Sequence, residues 1–403
     1  MFGPETCIGV LGGGQLGRML AVEARRMGLR VLKWTGGDES GAARLADVVL
    51  TDPFGSASAL QRFLDLSDVA TVEFENVPRE LLETVEEHLP LMPSSKAVGI
   101  CQNRIREKSF LADHELPTTP FRVVRTEADL ALALTELGAD AILKTAEAGY
   151  DGKGQRALRA NASEREIASA WTSMNGVPCV LEKKVDLAAE LSVIVARSTD
   201  GTTATYDATE NVHRNHILHM AFAPSRAPTA LAEKAEQLAS RIAVALDYVG
   251  VLGVEFFVDG HGELLVNELA PRPHNSGHHT IDACETSQFE QQLRCILGLP
   301  LGSTKLIRPA VMWNLLGELW PNANTPPNWS PVFETPGAKL HLYGKHPAKA
   351  GRKMGHVTFT ASTLDEALAR AEACSLSPLG PFGEPNCAVL DSMSRDSERR
   401  QGL

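Results

Sequence analysis

The sequence predicts an α/β protein, α+β over its whole length: an N-terminal doubly wound parallel sheet, a larger α/β module and a small β-rich C-terminal domain. Three observations predict it. Residues 5–100 alternate apolar strand-like runs with amphipathic helical ones. From 120 to 300, further strands (AILKTA, PCVLEKKV, LSVIVAR, GVEFFV, ELLVNELA) are interrupted by two long helical stretches, 227–247 and 286–298. Residues 301–390 turn to Pro- and Asn-rich loops, the strands HLYGK and GHVTFT, and an Ala-rich helix. Strand–helix alternation over short connections favours a parallel sheet with helices on both faces.

Taken in order, ETCIGVLGG is a strand running into a glycine turn. QLGRMLAVEARRMG then places Leu16, Met19, Leu20 and Ala24 on one helical face. GLRVLKW, ADVVLTD and VATVEF are the next strands. Pro93-Ser94-Ser95 opens a helix with serine caps and an apolar face at Val98, Ile105 and Leu111, ended by Pro117 and Pro120. SQFEQQLRCILGLP gathers Phe289, Leu293, Ile296 and Leu297 on one face. We expect domains at 1–98, 99–300 (with a mobile subdomain at about 118–186) and 301–390, and a polar tail at 391–403.

The 403 residues suffice for two or three cores. Apolar residues make up 43% and charged residues 22%, the composition of a soluble globular protein. No apolar run approaches the roughly 18 residues a membrane helix needs. The opening MFGPETCIGV lacks a basic segment, so we expect no secretory signal and a cytoplasmic location. A formal net charge of −11 argues against a nucleic-acid surface, though not against a local basic pocket for a small anion. The seven cysteines form no C-x-x-C pair, and we expect reduced thiols without zinc.

Gly12, Gly14 and Gly17 spell G-x-G-x-x-G after the first strand, which points backbone N–H groups at an anion. A dinucleotide site also needs an acidic residue ending the second strand, to grip the ribose. That strand ends Val31-Leu32-Lys33-Trp34-Thr35, and no carboxylate follows until Asp38. The pattern therefore favours a phosphate-bearing ligand other than NAD or FAD; a purely structural turn is the alternative.

KTAEAGYDGKGQ, Lys144 to Gln155, is the second glycine-rich loop. Gly149, Gly152 and Gly154 surround Tyr150, Asp151 and Lys153, suited to folding over polyphosphate with one mobile positive charge. Lys144 ends the preceding strand, within reach of a phosphate. A plain β-hairpin with a D-G turn is the alternative. Glu255 in GVEFFVDG and Glu268 in ELLVNELAPR lie on two strands joined by the turn His261 to Glu263. Two carboxylates on one side of a buried sheet repel unless a cation neutralises them. Oxygen ligands with phosphate nearby imply Mg²⁺, and pairing with lysine or arginine is the alternative. LEKKV, with Glu182, Lys183, Lys184 and Val185, ends a strand where an adenine edge could lie; an exposed strand end would look the same.

Together these segments resemble the ATP-grasp superfamily. With GGGQLGRML, EFENVP, NELAPRPHNSGHHT and GRKMGH added, the chain resembles the N5-carboxyaminoimidazole ribonucleotide synthetase family of purine biosynthesis, in order from about residue 5 to about residue 390. The resemblance implies a pre-ATP-grasp domain, a two-part ATP-grasp module and a small C-terminal domain. It implies that 5-aminoimidazole ribonucleotide, ATP and bicarbonate give N5-carboxyaminoimidazole ribonucleotide, ADP and phosphate through carboxyphosphate, commonly in a homodimer. Carried over residue by residue, the nucleotide contacts are Arg104, Lys144, Gly149 to Gln155, Glu182 to Val185, Glu190, His213, Asn267 and Glu268. The Mg²⁺ ligands are Glu255 and Glu268.

Arg272 and His274 follow Glu268 and would bind a bicarbonate oxyanion. Tyr150 and Lys153 would close over the site and exclude water. Lys345, Arg352 and Lys353 form a basic cluster for the ribose 5′-phosphate, with a solvated turn as the alternative. Gln15, Leu16, Asn275 and Ser276 would face the ribonucleotide, as would Glu73, for which a structural role at a strand end is the alternative. His278 and His279 are expected on opposite sides of a strand, in ordinary packing or substrate-side contacts. Rival readings are a formate-dependent glycinamide ribonucleotide transformylase, a nicotinamide dehydrogenase and a non-catalytic nucleotide-binding regulator.

Overall fold

A computed structural model describes residues 2–38, 42–147, 154–374 and 376. At the N-terminus, β1 (Cys7–Leu11), α1 (Gln15–Arg26), β2 (Arg30–Trp34), β3 (Val48–Leu50), α2 (Ala57–Leu66), β4 (Val69–Val72) and α3 (Arg79–His88) alternate as expected. The strands form a four-stranded sheet in the order β3-β2-β1-β4, every pairing parallel. Both faces are covered. Leu11, Leu32 and Trp34 meet Phe63 of α2 and Leu82 of α3, while Ile8, Val10 and Val31 meet Leu16 and Leu20 of α1.

The helix expected from Ser94 onward is two helices, α4 (Ser95–Cys101) and α5 (Arg104–Asp113). Asn103 breaks it, because its side-chain oxygen accepts the N–H groups of Ile105 and Arg106 at 3.0 and 3.1 Å. An Asn that caps from outside cannot also continue the preceding helix. Ser94 caps α4 as expected. Val98 of α4 packs in the N-terminal core, and its neighbour Ala97 in the next one.

A second, antiparallel sheet of four strands follows. It contains β5 (Phe121–Val124), β6 (Ala141–Thr145), β7 (Gln155–Leu158) and β8 (Cys179–Lys183) in the order β5-β8-β6-β7. α6 (Glu127–Leu137) and α7 (Glu164–Ser173) pack on it through Leu130, Leu134, Ile167 and Ala170. β6 and β7 form a hairpin with Lys144 opposite Gln155. The D-G turn expected between them, at Asp151-Gly152, lies outside the described residues.

The third sheet has nine strands. It takes in β9 (Leu187–Arg197), β10 (Thr203–Thr205), β11 (Thr209–Arg214), β12 (Ile217–Ala223), β13 (Gly250–Asp259) and β14 (Leu264–Ala270). α8 (Thr229–Ala245) covers one face with Leu238 and Ile242. After α9 (Thr280–Ala283) and α10 (Gln288–Ile296) come β15 (Ala310–Leu316), α11 (Ser330–Glu334), β16 (Ala338–Leu342), β17 (Lys353–Thr360) and α12 (Leu364–Ala373). The C-terminal strands extend this sheet rather than building one of their own. Its order is β14-β13-β9-β11-β12-β15-β17-β16, with β10 beside β9.

The apolar face of α10 does not stay with its own sheet. Phe289, Leu293 and Ile296 complete the core under α1. From the same helix, buried Gln292 donates to the Thr71 hydroxyl at 2.9 Å and accepts the Val251 N–H at 2.6 Å. One side chain thus ties the parallel sheet to the nine-stranded one. His278 and His279 lie in a short 3₁₀ turn (Asn275–His279), not on a strand, so both point inward. His278 packs against Phe289, Tyr343 and His356, and the His279 ring bonds the Ser276 carbonyl.

Candidate functional site

A cleft of about 490 Å³ opens between the second and third sheets. Of the residues expected at the nucleotide and metal sites, Arg104, Lys144, Gln155, Glu182 to Val185, Glu190, His213, Glu255, Asn267 and Glu268 line it. Arg272, His274, Asn275 and Lys353 also line it. Gly149, Tyr150, Asp151, Gly152 and Lys153 lie outside the described residues. Gly154 adopts φ +71°, and a Cβ there would meet the Thr145 hydroxyl at 2.5 Å, so only glycine fits.

Glu255 and Glu268 are direct cross-strand partners. Strict alternation would send Asn267 and Glu268 to opposite faces. The register slips between Glu255 and Phe256, where Phe256 pairs with Val266 and Asn267 is left over. This bulge is what lets Asn267 and Glu268 both face the cleft.

Each carboxylate also has a basic side chain beside it. His274 Nε2 lies 3.2 Å from Glu255, and Arg104 lies 3.4 Å from Glu268. Burial alone would raise the Glu255 pKa, but the hydrogen bond and charge of His274, with His213 and Lys353 beyond, hold it at about 2. Glu255 is thus an anion at any ordinary pH. Among the described residues, no group of three or more His, Cys, Asp or Glu side chains is arranged to hold a metal ion. The candidate ligands are therefore the opposed pair, which fits a hard cation that takes its remaining oxygens from elsewhere.

At the other wall, Lys144 Nζ pairs with Glu182 at 2.9 Å, and His213 pairs with Glu190 at 3.1 Å. Two buried groups here escaped the sequence reading. Lys108 is fully buried and donates to the carbonyls of Val266 and Asn267 and to the Thr118 hydroxyl. Glu107 accepts the Leu269 N–H at 2.6 Å, and burial together with the Glu268 charge pushes it up to about 8. A signal for both existed. Arg104, Glu107 and Lys108 stand at i, i+3 and i+4, so α5 aims one charged face at β14.

The N-terminal glycine turn holds an anion from the protein itself. Glu73, at the end of β4, accepts the Gly14 N–H at 2.6 Å and the Gly17 N–H at 3.0 Å. A Cβ at Gly12 would meet the Glu73 carboxylate at 2.4 Å, and one at Gly17 would meet Lys33 Nζ at 2.8 Å. The glycines thus make room for a carboxylate and a buried lysine. Lys33, unnoticed in sequence, is fully buried, and its Nζ lies 3.3 Å from the Gly14 carbonyl. Gln15 accepts from Lys345 at 2.5 Å, which brings the C-terminal basic cluster to this turn. The Arg352 guanidinium donates to the Pro347 carbonyl. The Leu16 side chain is in the core. Ser276 is buried, bonded to Ser192 and to the His274 ring.

Three family models match this chain: a ribonucleotide synthetase preATP-grasp domain over 5–102, an ATP-grasp domain over 109–289, and a phosphoribosylaminoimidazole carboxylase C-terminal domain over 310–370. The N5-carboxyaminoimidazole ribonucleotide synthase of Bacillus subtilis (strain 168) is 42% identical over 363 residues, 90% of this chain and 93% of that protein. The chain belongs to the N5-carboxyaminoimidazole ribonucleotide synthase family.

The Brucella melitensis synthase is 43% identical over 88% of this chain and 96% of its own length. An ADP complex of an N5-carboxyaminoimidazole ribonucleotide synthetase superposes with a TM-score of 0.85 at 41% identity, covering 93% of this chain and 98% of that one. The Aspergillus clavatus synthase, in complex with ADP and 5-aminoimidazole ribonucleotide, superposes at 0.82 with 33% identity, covering 92% and 98%. The synthase family's three-part fold is the one described above: preATP-grasp domain, ATP-grasp domain and C-terminal domain.

Proposed function

We propose that this chain carboxylates 5-aminoimidazole ribonucleotide with bicarbonate at the expense of ATP, giving N5-carboxyaminoimidazole ribonucleotide, ADP and phosphate in purine biosynthesis. The observation that carries the reading is one continuous stretch of chain. It presents Asn267 and Glu268 opposite Glu255, and places Arg272 and His274 a few residues on in the same cleft.

ATP would lie between the second and third sheets, its adenine against the strand end at Glu182 to Val185. Lys144 and Arg104 are within the cleft to meet its phosphates. Glu255 and Glu268 are suited to Mg²⁺, which when bound supplies positive charge to the transferring phosphoryl group. Bicarbonate oxygen attacks the γ-phosphorus and ADP leaves, giving carboxyphosphate. Arg272 and His274 would hold the bicarbonate oxygens and later the carboxyl group. The loop with Tyr150 and Lys153 would exclude water until the exocyclic amine of the ribonucleotide attacks that carboxyl carbon and phosphate departs. Lys345, Arg352 and Lys353 supply a basic pocket for the ribose phosphate near Gln15. Asn275 lies on the cleft side, where its amide can accept from or donate to the base, and Glu73 lies beside the glycine turn, where its carboxylate can only accept. We propose a cytoplasmic homodimer.

The test is ADP release measured with each reactant omitted. Turnover should need both 5-aminoimidazole ribonucleotide and bicarbonate. ADP formation supported by formate and glycinamide ribonucleotide instead would replace this reading with the transformylase one.

A further inference from the structure

Glu75 takes no part in the proposed chemistry, yet it lines the cleft and grips Arg272. Its carboxylate accepts from Arg272 Nε and, at 3.0 Å, from Nη2. The two residues come from different domains, 197 positions apart in sequence. Both are mostly buried, with side chains 24% and 17% exposed.

A guanidinium has two edges that can take an anion in bidentate fashion, Nε–Nη2 and Nη1–Nη2. Glu75 occupies the first. Nη1 leans on the Pro273 carbonyl at 3.3 Å. The edge left for a second planar anion is Nη1–Nη2, which suits the two oxygens of bicarbonate.

The loop bearing Glu75 is itself clamped. The Gln102 amide donates to the Glu75 carbonyl at 2.6 Å and to the Val77 carbonyl at 2.7 Å. Two residues earlier, Glu73 is fixed in the glycine turn. Burial would raise the Glu75 pKa, but the charge and hydrogen bonds of Arg272 hold it at about 2, so the grip persists at working pH. Arg272 also feels the charges of Glu73 and Glu268. Without Glu75 its remaining attraction is toward these, and Glu268 is the carboxylate proposed for the metal.

We propose that Glu75 is a positioning residue for carboxylation: it holds Arg272 by one edge of the guanidinium, turns the other edge to bicarbonate and keeps Arg272 off Glu268. The proposal rests on the functional reading above. The substitution Glu75→Gln keeps the shape and removes the charge, and Glu75→Asp keeps the charge on a shorter arm. For Glu75→Gln, kcat/KM for bicarbonate should fall about 100-fold, the scale of a small misplacement of a reacting group. The KM for ATP and the thermal stabilisation by Mg²⁺ and ADP should stay as in the unaltered chain. Glu75→Asp, with the charge on a shorter arm, should recover only part of that loss and leave the KM for bicarbonate raised.

An unchanged bicarbonate dependence, or a loss that falls equally on ATP, overturns the proposal. If Glu75→Gln does not fold, Glu75→Asp decides alone: a raised KM for bicarbonate with ATP untouched supports it, and an unaltered KM overturns it. An unaltered chain that makes no ADP in response to bicarbonate and ribonucleotide overturns the functional reading, and this proposal with it.

Discussion

Glu268 is 43% exposed, so Glu268→Gln should leave the fold intact. It should cut ADP formation by about 100-fold or more, as losing a fixed charge at a phosphoryl site does. Phosphate release at the unaltered rate would remove Glu268 from the metal site.

Lys345 should make ribonucleotide binding depend on pH. Burial lowers its pKa, which the Glu73 and Asp38 charges only partly restore, and it stands at about 8. A bound phosphate favours the ammonium form. Below pH 8 the charge is already present, so binding is level there; as pH rises through 8 the free site loses it, and the KM for the ribonucleotide should climb. Lys345→Arg, charged throughout, should flatten that rise. A profile that climbs equally in both proteins would place the ribose phosphate elsewhere.

At this scale the sequence was legible for residues whose partners lie within the same motif. It was silent where the partner is remote. The glycine pattern announced an anion, but nothing near Gly14 tells that the anion is Glu73, nor that Lys33 lies beneath it. Arg272 was named for its place after Glu268, while its partner Glu75 belongs to another domain.

The elements were legible wherever a pattern is local. The parallel strands, the Asn267–Glu268 strand and the run ending at Lys144 follow from apolar patterning. Two features broke the count. The bulge that brings Asn267 beside Glu268 depends on how β13 meets β14, which strand periodicity alone does not encode. The break between α4 and α5 depends on which way the Asn103 side chain turns. Asn103→Ala should lower stability by about 1 kcal/mol through loss of the cap. The denaturant midpoint reads this, and no change would mean the cap contributes nothing. Because Arg104 begins α5, the same substitution should also weaken ADP binding.

For the whole molecule, the sequence indicated three successive parts, while the packing between them rests on contacts no local pattern carries. α10 closes the parallel sheet, Gln292 bridges two sheets, and β15 continues the large sheet from β12. Met220 and Phe222 of β12 share one core with Trp313 and Phe359. A chain ended after residue 308 would leave that core half-built and β12 as an open edge. We expect it to be insoluble rather than a free-standing ATP-binding module, which light scattering and the soluble fraction would show. A monodisperse, ADP-binding fragment would contradict this.

The same continuity bears on how the protein is made. From β9 through β11 and β12 to β15, the sheet grows outward in the order in which the ribosome delivers its strands. β12 must wait, unpaired on one side, until the segment near residue 310 has left the exit tunnel, an interval in which a chaperone would find its edge. Lys353 emerges later still, so the basic cluster proposed for the ribonucleotide is the last part of the site to be delivered.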